Sequence, residues 1–241
     1  MNLLIYHAKD ELLEDLAEFI LKVGNDAIAK NGRFNFVLTG GSSPKTLYQQ
    51  LSTKYKDKLD WQNVFFFFGD ERNVSATDKD YNGLMAADSL LKPLNIAPDH
   101  IFYVNTSLSP VEAAAEYQSA INMHFGGGHV SFDLILLGMG DDAHTASLFP
   151  ETEILESNEV GVEAVFVEKL NTYRISMTAG LINNAKNIAF LVFGKSKAIA
   201  VKNVIESDEE NTTLYPAQLI DPYEGHVTWF LDQEAAALLN T

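Results

Sequence analysis

A three-layer α/β fold, with a mainly parallel sheet flanked by helices, is the architecture this sequence predicts. Three observations lead there. Val64–Phe68 is an unbroken apolar run with four successive phenylalanines, and Phe132–Leu137 is nearly so, the pattern of strands covered on both faces. Segments whose apolar residues recur at helical spacing alternate with such runs from one end of the chain to the other. Glycine-rich turns follow several of the runs, where a strand hands over to a helix.

The first strand is expected at Leu3–Tyr6. Asp10–Lys30 then reads as a helix, with Leu12, Leu13, Leu16, Phe19, Ile20, Val23 and Ile28 on its apolar stripe and Asp10 as N-cap. Asn31-Gly32 ends it, and Phe34–Thr39 is the next strand. Gly40-Gly41-Ser42-Ser43-Pro44 leads into a helix near Lys45–Leu51, with Pro44 suited to the first turn. After Val64–Phe68 come a helix near Asn82–Leu91, a strand at Ile101–Val104 and a helix near Val111–Phe125. Gly126–Gly128 marks a loop before Phe132–Leu137. Strands are expected near Ala164–Val167, Arg174–Ser176, Ile188–Phe193 and Val227–Phe230, with helices near Lys197–Glu206 and Gln233–Leu239. The acidic stretch Ser207–Asn211 reads as a solvated loop. No repeat, low-complexity tract or linker breaks the series, so residues 1–241 are expected to form a single domain.

Composition narrows the function classes. A chain of 241 residues buries roughly three quarters of its unfolded surface and needs no staples. It has no cysteine, which excludes disulfides, a thiolate nucleophile and cysteine-ligated metal, and suits a reducing compartment. Seventeen basic against 33 acidic residues give a net charge of -16, the wrong sign for a nucleic-acid partner. The same field repels a small phosphate ester, so such a ligand needs a local pocket of Arg, Lys and backbone N–H groups. The first residues lack a basic n-region with a long apolar run, and no stretch approaches the roughly 20 apolar residues of a membrane helix. A soluble, cytoplasmic protein with no membrane partner is the expectation.

In open α/β sheets ligands sit beyond the carboxyl ends of the strands, so the residues just after each buried run matter most. Thr39–Pro44 has glycines that let the backbone curl closely, hydroxyls that donate, and a helix N-terminus with free N–H groups, which reads as a phosphate cradle made by Gly40, Gly41 and Ser42. An ordinary glycine turn with a serine cap uses the same residues. Asp70-Glu71-Arg72 puts three charges at a strand end. Either Arg72 holds a phosphate and Asp70 orients a ligand hydroxyl, or the three close into a salt bridge. Lys195 or Lys197 can reach an anion from the next strand-to-helix turn, and Arg174 is a further candidate.

Gly138–Pro150 delivers Asp141, Asp142 and His144 on a glycine turn. Histidine titrates near neutrality, which suits a general base, and a nearby Asp can fix its ring or support its charged form. None of His7, His100, His124, His129 and His226 has a comparable setting. Asp-x-His is too small a ligand set for a metal, and Ser147 lacks the Gly-x-Ser-x-Gly elbow of a serine hydrolase.

Taken together, Thr39-Gly40-Gly41-Ser42, Gly69-Asp70-Glu71-Arg72-Asn73-Val74, Phe132–Gly140, His144-Thr145-Ala146-Ser147-Leu148-Phe149-Pro150, Gly194–Ala198 and Trp229-Phe230-Leu231-Asp232 resemble the 6-phosphogluconolactonase family in order and spacing almost end to end. That family lies within the group that includes glucosamine-6-phosphate isomerase/deaminase. Ser147–Pro150 looks like the lactonase form of the loop, where the deaminases carry Asn-Glu-Pro, and Arg72 stands where they have Tyr. The resemblance implies a Rossmann-like fold of the sugar-phosphate isomerase type and hydrolysis of 6-phosphogluconolactone in the oxidative pentose phosphate pathway. It implies His144 as acid/base with Asp142 its neighbour, and Gly41, Ser42, Arg72 and Lys197 around phosphate and sugar. Neither metal nor organic cofactor is required, and a monomer or homodimer is expected. Backbone N–H groups around Gly140–His144 are the expected oxyanion donors. Two departures stand out. Ala143 occupies the glycine position of the family's Asp-Gly-His, and Asp80-Tyr81-Asn82-Gly83 replaces the usual Asp-Ser-Asn-Tyr. The rival readings are an amino-sugar-phosphate isomerase/deaminase with Asp70 as base and a non-catalytic sugar-phosphate-binding protein.

Overall fold

The computed structural model describes residues 1–207 and 210–240. Six strands form one parallel sheet: β1 (Asn2–Tyr6), β2 (Phe34–Leu38), β3 (Val64–Phe68), β5 (Leu134–Leu137), β8 (Asn187–Val192) and β9 (His226–Asp232), in the order β1-β9-β8-β5-β2-β3. Period-two alternation sends their side chains into two cores. Val37, Phe67, Ile135 and Phe190 enter one, and Phe36, Phe66, Leu136 and Leu191 enter the other. The second core is covered by α1 (Lys9–Asn31) and α2 (Ser42–Thr53), together with the short α3 (Asn82–Ala86) and the π-type turn Ala87–Leu91 behind it. The first is covered by α4 (Pro110–His124), α5 (Ala179–Asn183) and α6 (Ala198–Glu206). The expected three-layer fold is therefore present, with both sheet faces covered.

A second sheet was not foreseen. β4 (Asp70–Arg72), β7 (Thr172–Met177) and β6 (Val162–Val167) pair antiparallel in the order β4-β7-β6. Its Val165, Val167, Ile175 and Met177 join the first core, which seats this sheet beside α4. The charged triplet after β3 is thus itself a strand, and the expected strands near Ala164 and Arg174 belong here and not to the parallel sheet.

Four local expectations need correction. Ala8, not Asp10, is the N-cap of α1, and Asp10 sits in the first turn, where a carboxylate still favours the helix dipole. Ile101–Val104 makes a single bridge, Phe66 to Ile101, and then leaves the sheet edge because the Tyr81 hydroxyl donates to the Val104 carbonyl at 2.9 Å. The helix expected over Asn82–Leu91 is α for only its first half. Gln233–Leu239 forms turns, anchored where the Asp232 carboxylate accepts from the Ala235 and Gly194 N–H groups. The acidic stretch Ser207–Asn211 runs through Asp208 and Glu209, which lie outside the described residues.

Candidate active site

Because all six strands of the main sheet run parallel, the residues after β2, β3, β5 and β8 emerge at one edge. The chain proceeds outward from β2 to β3 and, on the other side, from β5 to β8, so the crevice opens between β2 and β5. A cavity of about 300 Å³ occupies it. Gly40, Gly41, Ser42, Asp70, Arg72, His144, Arg174 and Lys197 all line this cavity. Asp142 lies just behind its wall, bonded to His144. Lys195 is exposed and outside it.

Two tyrosines that the sequence did not single out set the rim. The Tyr48 hydroxyl accepts from Thr39 N–H at 3.0 Å and donates to the Thr39 carbonyl at 2.9 Å, pinning the end of β2. Tyr117 does the same for Phe68 at the end of β3, at 2.7 and 3.0 Å. Burial holds both hydroxyls far above the ordinary phenol range, so they remain donors. Beyond the Thr39 clamp, Gly40 meets the Asn82 side chain so closely that any Cβ there would overlap the amide. Asn82 in turn donates to the Asp70 carbonyl at 2.9 Å.

β4 alternates around the cavity wall. Asp70 and Arg72 line the cavity, and Glu71 is turned away and fully buried. Asp70 accepts from the Ser147 hydroxyl at 2.7 Å, and Ser147 N–H donates to Ser176 Oγ at 3.1 Å. Glu71 accepts N–H bonds from Arg72, Asn82 and Gly83. Burial pushes its carboxyl up to about 7, against those three bonds. The internal salt bridge that Asp70-Glu71-Arg72 offered on paper is not formed: Arg72 donates instead to the Asp80 carbonyl at 2.8 Å.

Arg72 and Arg174 are register partners across β4 and β7. Burial, then the neighbouring Arg72, pushes the Arg174 guanidinium below its ordinary value. Among the described residues, no Asp or Glu forms an ion pair with Arg72, Arg174 or Lys197. Three cations share one small cavity with no carboxylate paired to them, although the chain carries a net charge of -16. An anion fits there.

His144 lines the same cavity, its ring stacked on Phe149 with centroids 4.0 Å apart. Its Nδ1 lies 2.5 Å from Asp142 Oδ1, and the other carboxylate oxygen takes Lys169 Nζ at 2.9 Å. Burial pulls the Asp142 carboxyl upward, but the bonds from His144 and Lys169 outweigh it and hold the group well below the usual carboxylate range. An ionised Asp142 can only accept, so Nδ1 carries a proton and, in the neutral ring, the lone pair lies on Nε2. Gly140 makes the arrangement possible, since a Cβ there would overlap both the imidazole and the Asp142 carboxylate. The N–H groups of Gly140, Ala143 and His144 are spent inside the loop, on the His144 carbonyl, the Gly140 carbonyl and Asp142. Of the N–H groups expected to serve as oxyanion donors around Gly140–His144, these three already have partners. Ala143 has φ 62°, so alanine adopts the left-handed conformation that glycine favours. Among the described residues, no group of three or more His, Asp or Glu side chains is placed to hold a metal. No helix among them is long and apolar enough to cross a membrane.

The family model of glucosamine-6-phosphate isomerases/6-phosphogluconolactonase matches residues 7–229. The chain belongs to that family. Among its relatives, a probable 6-phosphogluconolactonase 1 of Arabidopsis thaliana is 34% identical over 248 residues, covering 98% of this chain and 92% of the relative. A 6-phosphogluconolactonase of Nostoc sp. is 37% identical over 227 residues, covering 92% of each. The solved 6-phosphogluconolactonase of Trypanosoma cruzi superposes with a TM-score of 0.86 at 25% identity, over 100% of this chain and 97% of that one. A solved monomeric glucosamine-6-phosphate deaminase shares the fold, with a TM-score of 0.83 at 23% identity, over 99% of this chain and 100% of that one.

Proposed function

We propose that this protein hydrolyses 6-phospho-D-glucono-1,5-lactone to 6-phosphogluconate, a step of the oxidative pentose phosphate pathway. The observation that carries the reading is one cavity lined by Arg72, Arg174 and Lys197, none of them paired with a carboxylate among the described residues, and by an Asp142-backed His144. The relatives named above, at more than 30% identity over most of the chain, support it.

In this reading the cations and the Gly40–Ser42 turn hold the phosphate, which fixes the lactone ring against His144 and lowers the entropic cost. Nε2 of His144 takes a proton from water as the water oxygen bonds to the lactone carbonyl carbon. The tetrahedral intermediate collapses, the bond from carbonyl carbon to ring oxygen breaks, and the imidazolium returns the proton to that oxygen. Asp70, held by Ser147, accepts from a sugar hydroxyl. No metal or organic cofactor takes part. We place the enzyme in the cytoplasm, as a monomer or homodimer.

The test follows hydrolysis of freshly made 6-phosphogluconolactone above its spontaneous background, with and without EDTA. Acceleration unaffected by EDTA is expected. No acceleration, or ammonia release from glucosamine 6-phosphate, would overturn the reading.

A further inference from the structure

Lys169 is placed by the hairpin between β6 and β7. A 3₁₀ turn, Glu168–Leu170, and the left-handed Asn171 at φ 47° reverse the chain and bring the side chain to Asp142, 27 residues away in sequence. The Asp142 carboxylate is divided between two partners. Oδ1 takes the His144 ring and backbone N–H, and Oδ2 takes the ammonium. The Lys169 side chain is 65% exposed, and such a pair adds little to stability. Its consequence lies in where the carboxylate points. Without a partner on Oδ2, the Asp142 carboxylate can turn about its χ2 torsion and release Nδ1.

We propose that Lys169 is a positioning residue for the hydrolysis: by holding one oxygen of Asp142 it keeps the other on His144 Nδ1 and leaves Nε2 free for the reacting water. This rests on the lactonase reading given above. The charged groups around the pair are Asp141 in the same loop, Lys169 on the hairpin, Arg174 on β7, Asp70 and Arg72 on β4, and Lys197 before α6. Among the described residues, only Lys169 touches the carboxylate from outside the loop. Without it the carboxylate turns off Nδ1, the imidazolium loses its hydrogen-bond partner, and the acid limb of activity moves to lower pH, by about half a unit to one unit.

The experiment compares wild type, Lys169→Met and Lys169→Arg between pH 5 and 7.5. Lys169→Met should move the acid limb of kcat/KM downward and lower kcat roughly threefold to tenfold, with KM within about twofold. Lys169→Arg should restore the limb. The titration of the His144 ring protons by NMR reads the same shift without turnover. If wild type shows no lactone hydrolysis, the lactonase reading fails while the NMR shift still reports on Lys169. If wild type is active and Lys169→Met leaves both the limb and the NMR titration in place, the role of Lys169 is overturned, whatever happens to its melting temperature.

Discussion

Arg72 and Arg174 sit opposite one another in the β4–β7 ladder, and neither is paired with a carboxylate among the described residues. Like charges at facing positions cost stability unless something neutralises them. The folded protein should therefore gain from a phosphorylated ligand. At about a hundredfold excess over Kd, 6-phosphogluconate adds about 2.7 kcal/mol, or a Tm rise of roughly 5–10 °C for a chain of this size. Arg72→Ala should lose most of that rise in a thermal-shift titration, and gluconate without phosphate should give little of it.

His144→Ala removes the only imidazole that lines the cavity among the described residues. The expected loss in kcat is roughly 10²–10⁴-fold, with the phosphate-ligand Tm shift retained. Steady-state rates corrected for spontaneous hydrolysis check it, and near-normal turnover would remove His144 from the chemistry.

Gly140→Ala tests the same pair from the backbone side. A methyl group there overlaps the imidazole and the Asp142 carboxylate, so one of them must move. We expect kcat to fall by a factor comparable to that of His144→Ala. A crystal structure of the variant should show the Nδ1–Oδ1 contact broken; an intact contact with normal kcat would contradict it.

A buried carboxyl and a half-buried imidazole tilt stability in opposite directions with pH. Burial, then Arg33 and His100, lowers the His124 imidazole to about 4, so its contribution is present above its unfolded value of 6.5 and is lost as pH falls through 4. Glu71 is raised from 4.5 to about 7, so its contribution is complete below 4.5 and is lost as pH rises through 7. Melting curves from pH 4 to 8 should show Glu71→Gln removing the decline toward pH 7. His124→Gln should flatten the rise from pH 4 toward 6.5. Unchanged pH slopes in both variants would refute the assignment.

Ala143 offers a test of backbone strain. Left-handed alanine costs about 1–2 kcal/mol, but its buried methyl contributes about 0.8 kcal/mol and glycine has a more flexible unfolded state. These nearly cancel, so Ala143→Gly should change stability by less than about 1 kcal/mol in chemical denaturation. Ala143→Val adds β-branching to a fully buried left-handed residue and should destabilise by more than about 2 kcal/mol.

The parallel sheet was legible because Val64–Phe68 and Leu134–Leu137 are apolar on both faces, which few other environments allow. The segments bearing Gly40, Arg72, His144 and Lys197 were legible as site candidates because they follow buried strands. The β4-β7-β6 sheet was not, since Asp70-Glu71-Arg72 carries no apolar alternation and owes its strand form to pairing with residues a hundred positions away. Lys169 left no sequence signal: a lysine at a hairpin tip is ordinarily solvated, and its contact with Asp142 depends on tertiary placement. Gln233–Leu239 misled because its alanines and leucines favour a helix, whereas Asp232 ties its start to Gly194.

The β6–β7 hairpin delivers Lys169 from its tip and Arg174 from its second strand, and that strand alternates Arg174 toward the cavity with Ile175 toward the core. The spacing between the two is consequently not free to drift. One residue gained or lost there would displace the tip by about 3.3 Å or exchange the arginine for the isoleucine. Related chains should vary in length around Gly126–Gly128, on the far rim, and hold that five-residue step constant.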